Sequence, residues 1–195
     1  MTAARRVLVV GSSGSGKTTT AKRIADKCGI THIELDALHW GPDWTAATAD
    51  EMRERVLRAI EGGSWVVDGN YRSKIGTLVW DRADTIVWVN PSRLVALSRA
   101  FRRTVRRVAT RQELWNGNRE RWSSLMFWRG EESLLWIAWS LYPRTRDRYE
   151  AAMKEPANAH RRMYRVRGAR DLNRVLAALG STSATLDPPG PTGTS

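Results

Sequence analysis

Gly11-Ser12-Ser13-Gly14-Ser15-Gly16-Lys17-Thr18 is the stretch that decides the fold of this 195-residue chain. It matches G-x-x-x-x-G-K-[ST], and both flanks are those the pattern requires. Before it runs Val7-Leu8-Val9-Val10, a fully apolar stretch that reads as a buried parallel strand. After it, from Thr19 to Cys28, Ala21, Ile24, Ala25 and Cys28 recur at helical spacing and Gly29 supplies the stop. Strand, glycine loop and helix in that order aim backbone N–H groups and a helix N-terminus at polyphosphate oxygens. Gly11, Gly14 and Gly16 let the backbone approach a phosphate, while Ser12, Ser13, Ser15 and Thr19 complete the cradle. Lys17 is expected to reach the β- and γ-phosphates, and the Thr18 hydroxyl to ligate Mg²⁺. The prediction is a nucleoside triphosphate site.

Working outward, the periodicity predicts five short strands, Arg6–Val10, Thr31–Asp36, Ser64–Asp68, Thr85–Asn90 and Met163–Arg167, separated by helical patterns. That alternation predicts an α/β fold, a parallel sheet with helices on both faces. Thr48-x-x-Glu51 reads as a capping box, followed by the stripe Met52, Val56, Ile60 and the stop Gly62-Gly63. The helix after Pro91 is expected to turn Leu94, Val95, Leu97, Phe101, Val105 and Val108 inward. Arg99, Arg102, Arg103, Arg106 and Arg107 are then expected on its outer side. From about 109 to 130 the pattern fades into a polar excursion containing Asn116-Gly117-Asn118, placed where a lid would be. Residues 1–180 thus read as one domain with a lid insertion at about 109–130, and 181–195 as a disordered tail.

Two carboxylates are candidates at strand ends. Asp68, closing Trp65-Val66-Val67-Asp68, is expected beside the glycine loop as a Mg²⁺ partner with Thr18. Asp36 would face the same crevice, because ligands of open α/β sheets bind outside the carboxyl ends of the strands. There it would orient or deprotonate an acceptor hydroxyl, join the Mg²⁺ shell, or simply cap the next turn. His39 reads as lining of an acceptor pocket rather than a metal ligand, while Trp40 and Trp44 either stack on a flat or sugar-like acceptor or, as the default for a tryptophan, pack in the core or on the surface.

Composition narrows the setting. The net charge is +12, and only five of the 32 basic residues are lysines. Ten arginines and two acidic residues, Glu113 and Glu120, lie between Arg93 and Arg129. Arginines flanking a lid suit the charge that develops on a transferring phosphoryl group, and Arg103 is placed in that role. The single cysteine, Cys28, rules out an internal disulfide and a cysteine-cluster metal site, and fits a cytoplasmic setting. Residues 2–6 run straight into the first strand with no signal peptide, and no apolar run is long enough to span a membrane.

Walker A, a carboxylate closing strand two and Asp68-Gly69-x-x-Arg72 together resemble the adenylate kinase-like branch of nucleotide kinases. Leu35-Asp36-Ala37-Leu38-His39-Trp40, Trp65 to Tyr71 and Arg82 to Trp88 more closely resemble bacterial FlaR-like "topology modulation" or adenylate kinase-related proteins, over roughly residues 5–180. The resemblance implies strand order 2-3-1-4-5, a helical lid, and ATP with Mg²⁺. It also implies that Arg72 binds an acceptor phosphate and that Gly168-Ala169-Arg170 lies near the adenine. The arginine-bearing monophosphate segment of adenylate kinases is replaced here by 36–44, which carries none. The acceptor therefore stays open between a nucleotide and a small hydroxylated metabolite. The competing reading is a regulatory NTPase that binds nucleic acid through the arginine-rich helix. The sequence fixes no oligomeric state.

Overall fold

A computed structural model describes residues 5–120 and 134–181. Five parallel strands form one sheet: β1 (Arg6–Gly11), β2 (Thr31–Glu34), β3 (Trp65–Asp68), β4 (Thr85–Val89) and β5 (Arg162–Val166). Their order is β2-β3-β1-β4-β5, as expected, with β1 central and apolar from Val7 to Val10. The register sets Val9 beside Asp68 and Glu34 beside Asp68, so β2 and β3 finish level with one another while β1 runs on two residues to Gly11 and the glycine loop.

Strand alternation divides the core. Val7, Val9, Val66, Val87 and Val166 point to one face, where α1 (Lys17–Cys28) and α8 (Ala169–Ser181) cover them through Ile24, Val175 and Leu179. Leu8, Val10, Ile33, Val67 and Ile86 point to the other face. There α3 (Ala49–Ala59), α5 (Leu78–Arg82) and α7 (Leu134–Lys154) contribute Met52, Val56, Val79 and Tyr149. The capping box at the start of α3 forms as expected: Thr48 Oγ1 accepts from the Glu51 N–H, and Glu51 accepts from the Thr48 N–H at 2.8 Å. Pro143 lies inside α7, which continues through it to Lys154.

Two elements differ from the sequence expectation. Strand two stops at Glu34, and Leu35–His39 coil into a short helix, α2, so Asp36 sits on a helix one step beyond the strand end. The faces of α6 (Arg93–Ala109) are also turned. Its buried stripe is Ala96, Ala100, Thr104 and Val108, whereas Leu94 is 72% exposed and Phe101 48%. The reason is distance. A Cβ on Gly14 would strike the carbonyl oxygen of Ala96 and meet the Cβ and N of Ala100 at 2.9 Å, so α6 lies on the loop itself. Only small side chains fit at such an approach, and the larger apolar residues are displaced outward.

The segment expected as a lid is described as far as Glu120. Residues 113–119 form a tight loop closed by an isolated antiparallel bridge, Glu113 to Arg119. It docks on a matching loop bridged from Trp40 to Ala46. Asn118, buried, donates to the Gly41 and Trp115 carbonyls at 2.8 Å and accepts from the Trp44 N–H at 2.7 Å. The expected tail from 182 onward lies outside the described residues.

Candidate functional site

The glycine loop connects β1 to α1. Gly14 and Gly16 take φ of +73° and +100°, in the left-handed region where a side chain is strained, which explains glycine at both. A Cβ on Gly11 would run into the Val89 carbonyl at the end of β4. The Ser15 N–H closes on the Ser12 carbonyl at 3.2 Å, and the Thr20 N–H on the Gly16 carbonyl at 2.9 Å, starting the helix. Among these residues Ser12 and Ser15 are buried, Ser13, Lys17 and Thr18 half-buried, and Thr19 exposed.

Lys17 Nζ donates to the Ser12 carbonyl at 3.0 Å, so the ammonium curls back over the loop. Burial lowers its pKa, the nearby charges of Asp36 and Asp68 oppose that shift, and Arg103 adds to it. The four expected groups therefore share one electrostatic neighbourhood. Arg103 is itself lowered, first by burial and then by the neighbouring Arg107, with Glu120 and Asp36 acting the other way.

Two arginines assigned to the outer face of α6 in fact work inward. Arg99 Nη1 donates to the Ser15 carbonyl at 3.2 Å, gripping the glycine loop. Arg107 pairs with Glu120 at 2.8 Å, while Arg103, one turn earlier, stays exposed with its charge acting on Lys17. The small stripe of α6 is what brings these side chains to the loop.

Asp68 is 2% exposed at the end of β3. Its Oδ2 lies 3.4 Å from His32 Nε2, a partner the sequence reading did not name. His32 projects from the neighbouring strand on the same face as Glu34, which in turn accepts a 3.0 Å bond from the Trp115 indole and pairs with Lys22 at 3.4 Å. Period-two spacing of His32, Glu34 and the register with Asp68 is the signal that could have revealed this row.

Asp36 accepts a 2.6 Å hydrogen bond from the Tyr71 hydroxyl. Burial, the Asp36 charge and that bond all push the Tyr71 phenol far up, so it stays a donor. His39 is buried against Tyr71 and Trp40, with ring centroids 4.7 and 4.5 Å away, and Trp40 meets Trp44 edge-on at 5.5 Å. Burial lowers the His39 pKa, Lys74 and Arg55 reinforce the shift, and Asp36 opposes it. The expected pocket lining is thus a packed aromatic group around Asp36, held by Arg55 on the Leu38 carbonyl at 2.9 Å and Lys74 on the Ala47 carbonyl at 3.2 Å.

Arg72 begins α4 (Arg72–Ile75) with an exposed side chain. Between it and Asp68 lies Asn70, whose amide donates to the Gly11 carbonyl and accepts from the Tyr149 hydroxyl at 3.0 Å. Arg170 is exposed in the first turn of α8, past the carboxyl end of β5, with no contact to the glycine loop among those described.

A family model described as ATPase family associated with various cellular activities (AAA) matches residues 7–67, under a third of the chain. No curated protein matches the chain. Among solved structures, a gluconokinase from Sinorhizobium meliloti 1021 is similar at 20% identity, over 94% of this chain and 98% of that one, with a TM-score of 0.49. No helix among the described residues is long and apolar enough to cross a membrane. With its 2-3-1-4-5 parallel sheet and a phosphate-binding loop between β1 and α1, the chain has the P-loop NTPase fold.

Proposed function

We propose that the protein is an ATP-dependent phosphotransferase that moves the γ-phosphoryl group of Mg-ATP to a small acceptor. The observation that carries this reading is Asp36, fixed by the Tyr71 hydroxyl at 2.6 Å just beyond β2, together with the phosphate loop and the buried Asp68 at the end of β3. A loop that only bound nucleotide would need Lys17; a second carboxylate, held by a tyrosine, has a use in handling an acceptor.

Thr18 and Asp68 would supply a hydroxyl and a carboxylate, the hard oxygen donors that suit Mg²⁺. The ion, when bound, would neutralise charge on the phosphates. Lys17 and Arg103 would hold the equatorial oxygens of the transferring group, Lys17 from the loop and Arg103 from α6. Asp36 would accept the proton of an acceptor hydroxyl, with Tyr71 fixing the orientation of its second oxygen. Arg72 would meet an anionic group on the acceptor. Arg170 would flank the base, and a lid over 109–130 would exclude water. A soluble cytoplasmic setting is part of the same reading.

The nucleic-acid alternative is weakened by the inward commitments of Arg99 and Arg107, which leave fewer free cations on α6 than its sequence suggests. The test is product formation from Mg-ATP and a panel of nucleoside monophosphates, nucleosides, sugars and hydroxy acids. Acceptor-dependent turnover that falls about 100-fold or more in Lys17→Ala is expected. Turnover unchanged in that variant overturns the reading.

A further inference from the structure

Strand alternation puts His32 and Glu34 on one face of β2, with Ile33 turned to the opposite face. The parallel register sets His32 beside Val66 and Glu34 beside Asp68. Val66 clusters with Ile24 of α1, so this is the face that α1 covers. An ion pair fixes the same placement: Lys22 Nζ on α1 lies 3.4 Å from Glu34 Oε1. Thr18 stands one helical turn before Lys22, on the same side of α1.

Polar side chains run in a row along this face. Trp115 Nε1 donates to Glu34 Oε2 at 3.0 Å, Glu34 Oε1 stands 4.0 Å from His32 Nδ1, and His32 Nε2 lies 3.4 Å from Asp68 Oδ2. An ionised carboxylate only accepts, so Nε2 carries the proton in this pair and donates it to Asp68. Both side chains are largely buried, which keeps water from taking the ring's place. On the far side the ring is walled by Glu34, itself held by Lys22 and by the Trp115 indole. The imidazole is therefore fixed between two carboxylates.

We propose that His32 is a positioning residue for the metal carboxylate: its ring N–H sets the rotation of the Asp68 carboxylate, and so the direction in which Asp68 meets Mg²⁺. The inference rests on the metal reading of Asp68 given above and adds to it a residue from a neighbouring strand. Carboxylates that ligate a metal are themselves hydrogen-bonded, and losing such a partner costs about 10- to 100-fold in metal affinity. A carboxylate at a strand end has little else to stop its rotation, and an ion bound by few protein oxygens is sensitive to the aim of each. His32 acts through Asp68 and is not itself a metal ligand.

Two quantities test this on the full chain. One is the Mn²⁺ affinity of the complex with AMP-PNP, a non-hydrolysable ATP analogue, read as free Mn²⁺ by electron paramagnetic resonance. The other is AMP-PNP affinity in EDTA, read by calorimetry. His32→Leu is expected to weaken Mn²⁺ about tenfold or more with the EDTA value unchanged. His32→Gln, whose amide N–H can donate in place of Nε2, is expected to keep most of the Mn²⁺ affinity. Wild-type Mn²⁺ affinity in His32→Leu overturns the proposal. So does an equal loss in the leucine and glutamine variants, or a matching loss in EDTA, which would make His32 a support of the fold alone. Wild-type Mn²⁺ affinity in Asp68→Asn would remove the metal reading of Asp68 and this inference with it, while phosphoryl transfer is judged separately by the Lys17→Ala turnover assay.

Discussion

Gly14→Ala probes the contact on which the whole site depends, the seating of α6 on the phosphate loop. Gly14 has φ of +73°, and an alanine there would carry a left-handed backbone cost of about 1–2 kcal/mol. Its methyl would also meet the Ala96 carbonyl and the Ala100 backbone nitrogen at 2.9 Å, atoms that move only if the helix moves. Overpacking of that kind costs about 1–3 kcal/mol, so the total is about 2–5 kcal/mol. Gly29→Ala is the matched control. Its φ is +63°, but nothing lies within 4 Å of the added Cβ, which leaves the backbone cost of about 1–2 kcal/mol alone. Urea unfolding of both variants measures the difference, and ATP affinity is read alongside, because displacing α6 also withdraws Arg99 and Arg103. Gly14→Ala should be the less stable by about 1–3 kcal/mol and should lose nucleotide affinity. Equal stability and equal affinity in the two variants would refute the packing of α6 on the loop, and with it the inward role of its arginines.

Tyr71→Phe removes the 2.6 Å bond to Asp36 while keeping the ring against His39. A hydrogen bond to a charged group is worth about 1.5–3 kcal/mol, so acceptor turnover should fall roughly 10- to 100-fold with ATP affinity preserved. Loss of ATP affinity instead would place Tyr71 in nucleotide binding. Acid sensitivity should trace in part to His39. Its folded pKa lies below the ordinary value of 6.5, so below that pH the unfolded chain binds more protons and stability falls as pH drops. Thermal unfolding from pH 7 to 5 should show a shallower decline in His39→Gln than in wild type. Identical slopes would show that His39 is not held neutral by the fold.

Much of the architecture was legible because it follows from local chemistry. The β-branched run before Gly11, the capping box at Thr48 and the helix stop at Gly29 each act over a few residues, and each forms where the pattern places it. Asp68 at a strand end and Lys17 in the loop were readable for the same reason. The helical span of α6 was readable too, but not its rotation. Ranking its residues by hydrophobicity selected Leu94 and Phe101, whereas the structure buried Ala96 and Ala100, because the helix lies against a glycine backbone with no room for more.

The sequence by itself therefore determined the parallel sheet and the phosphate loop, which depend on periodicity and on glycines at fixed offsets, whereas the strand order 2-3-1-4-5 came from the family resemblance alone. Only the tertiary structure decided which side chains meet. Asp36 with Tyr71, His32 with Asp68, Asn118 with Gly41 and Tyr149 with Asn70 lie 35 to 79 residues apart. No local preference encodes such pairs. They exist because parallel crossovers bring distant strand ends and helix starts to one edge of the sheet, where polar groups withdrawn from water must find partners in each other.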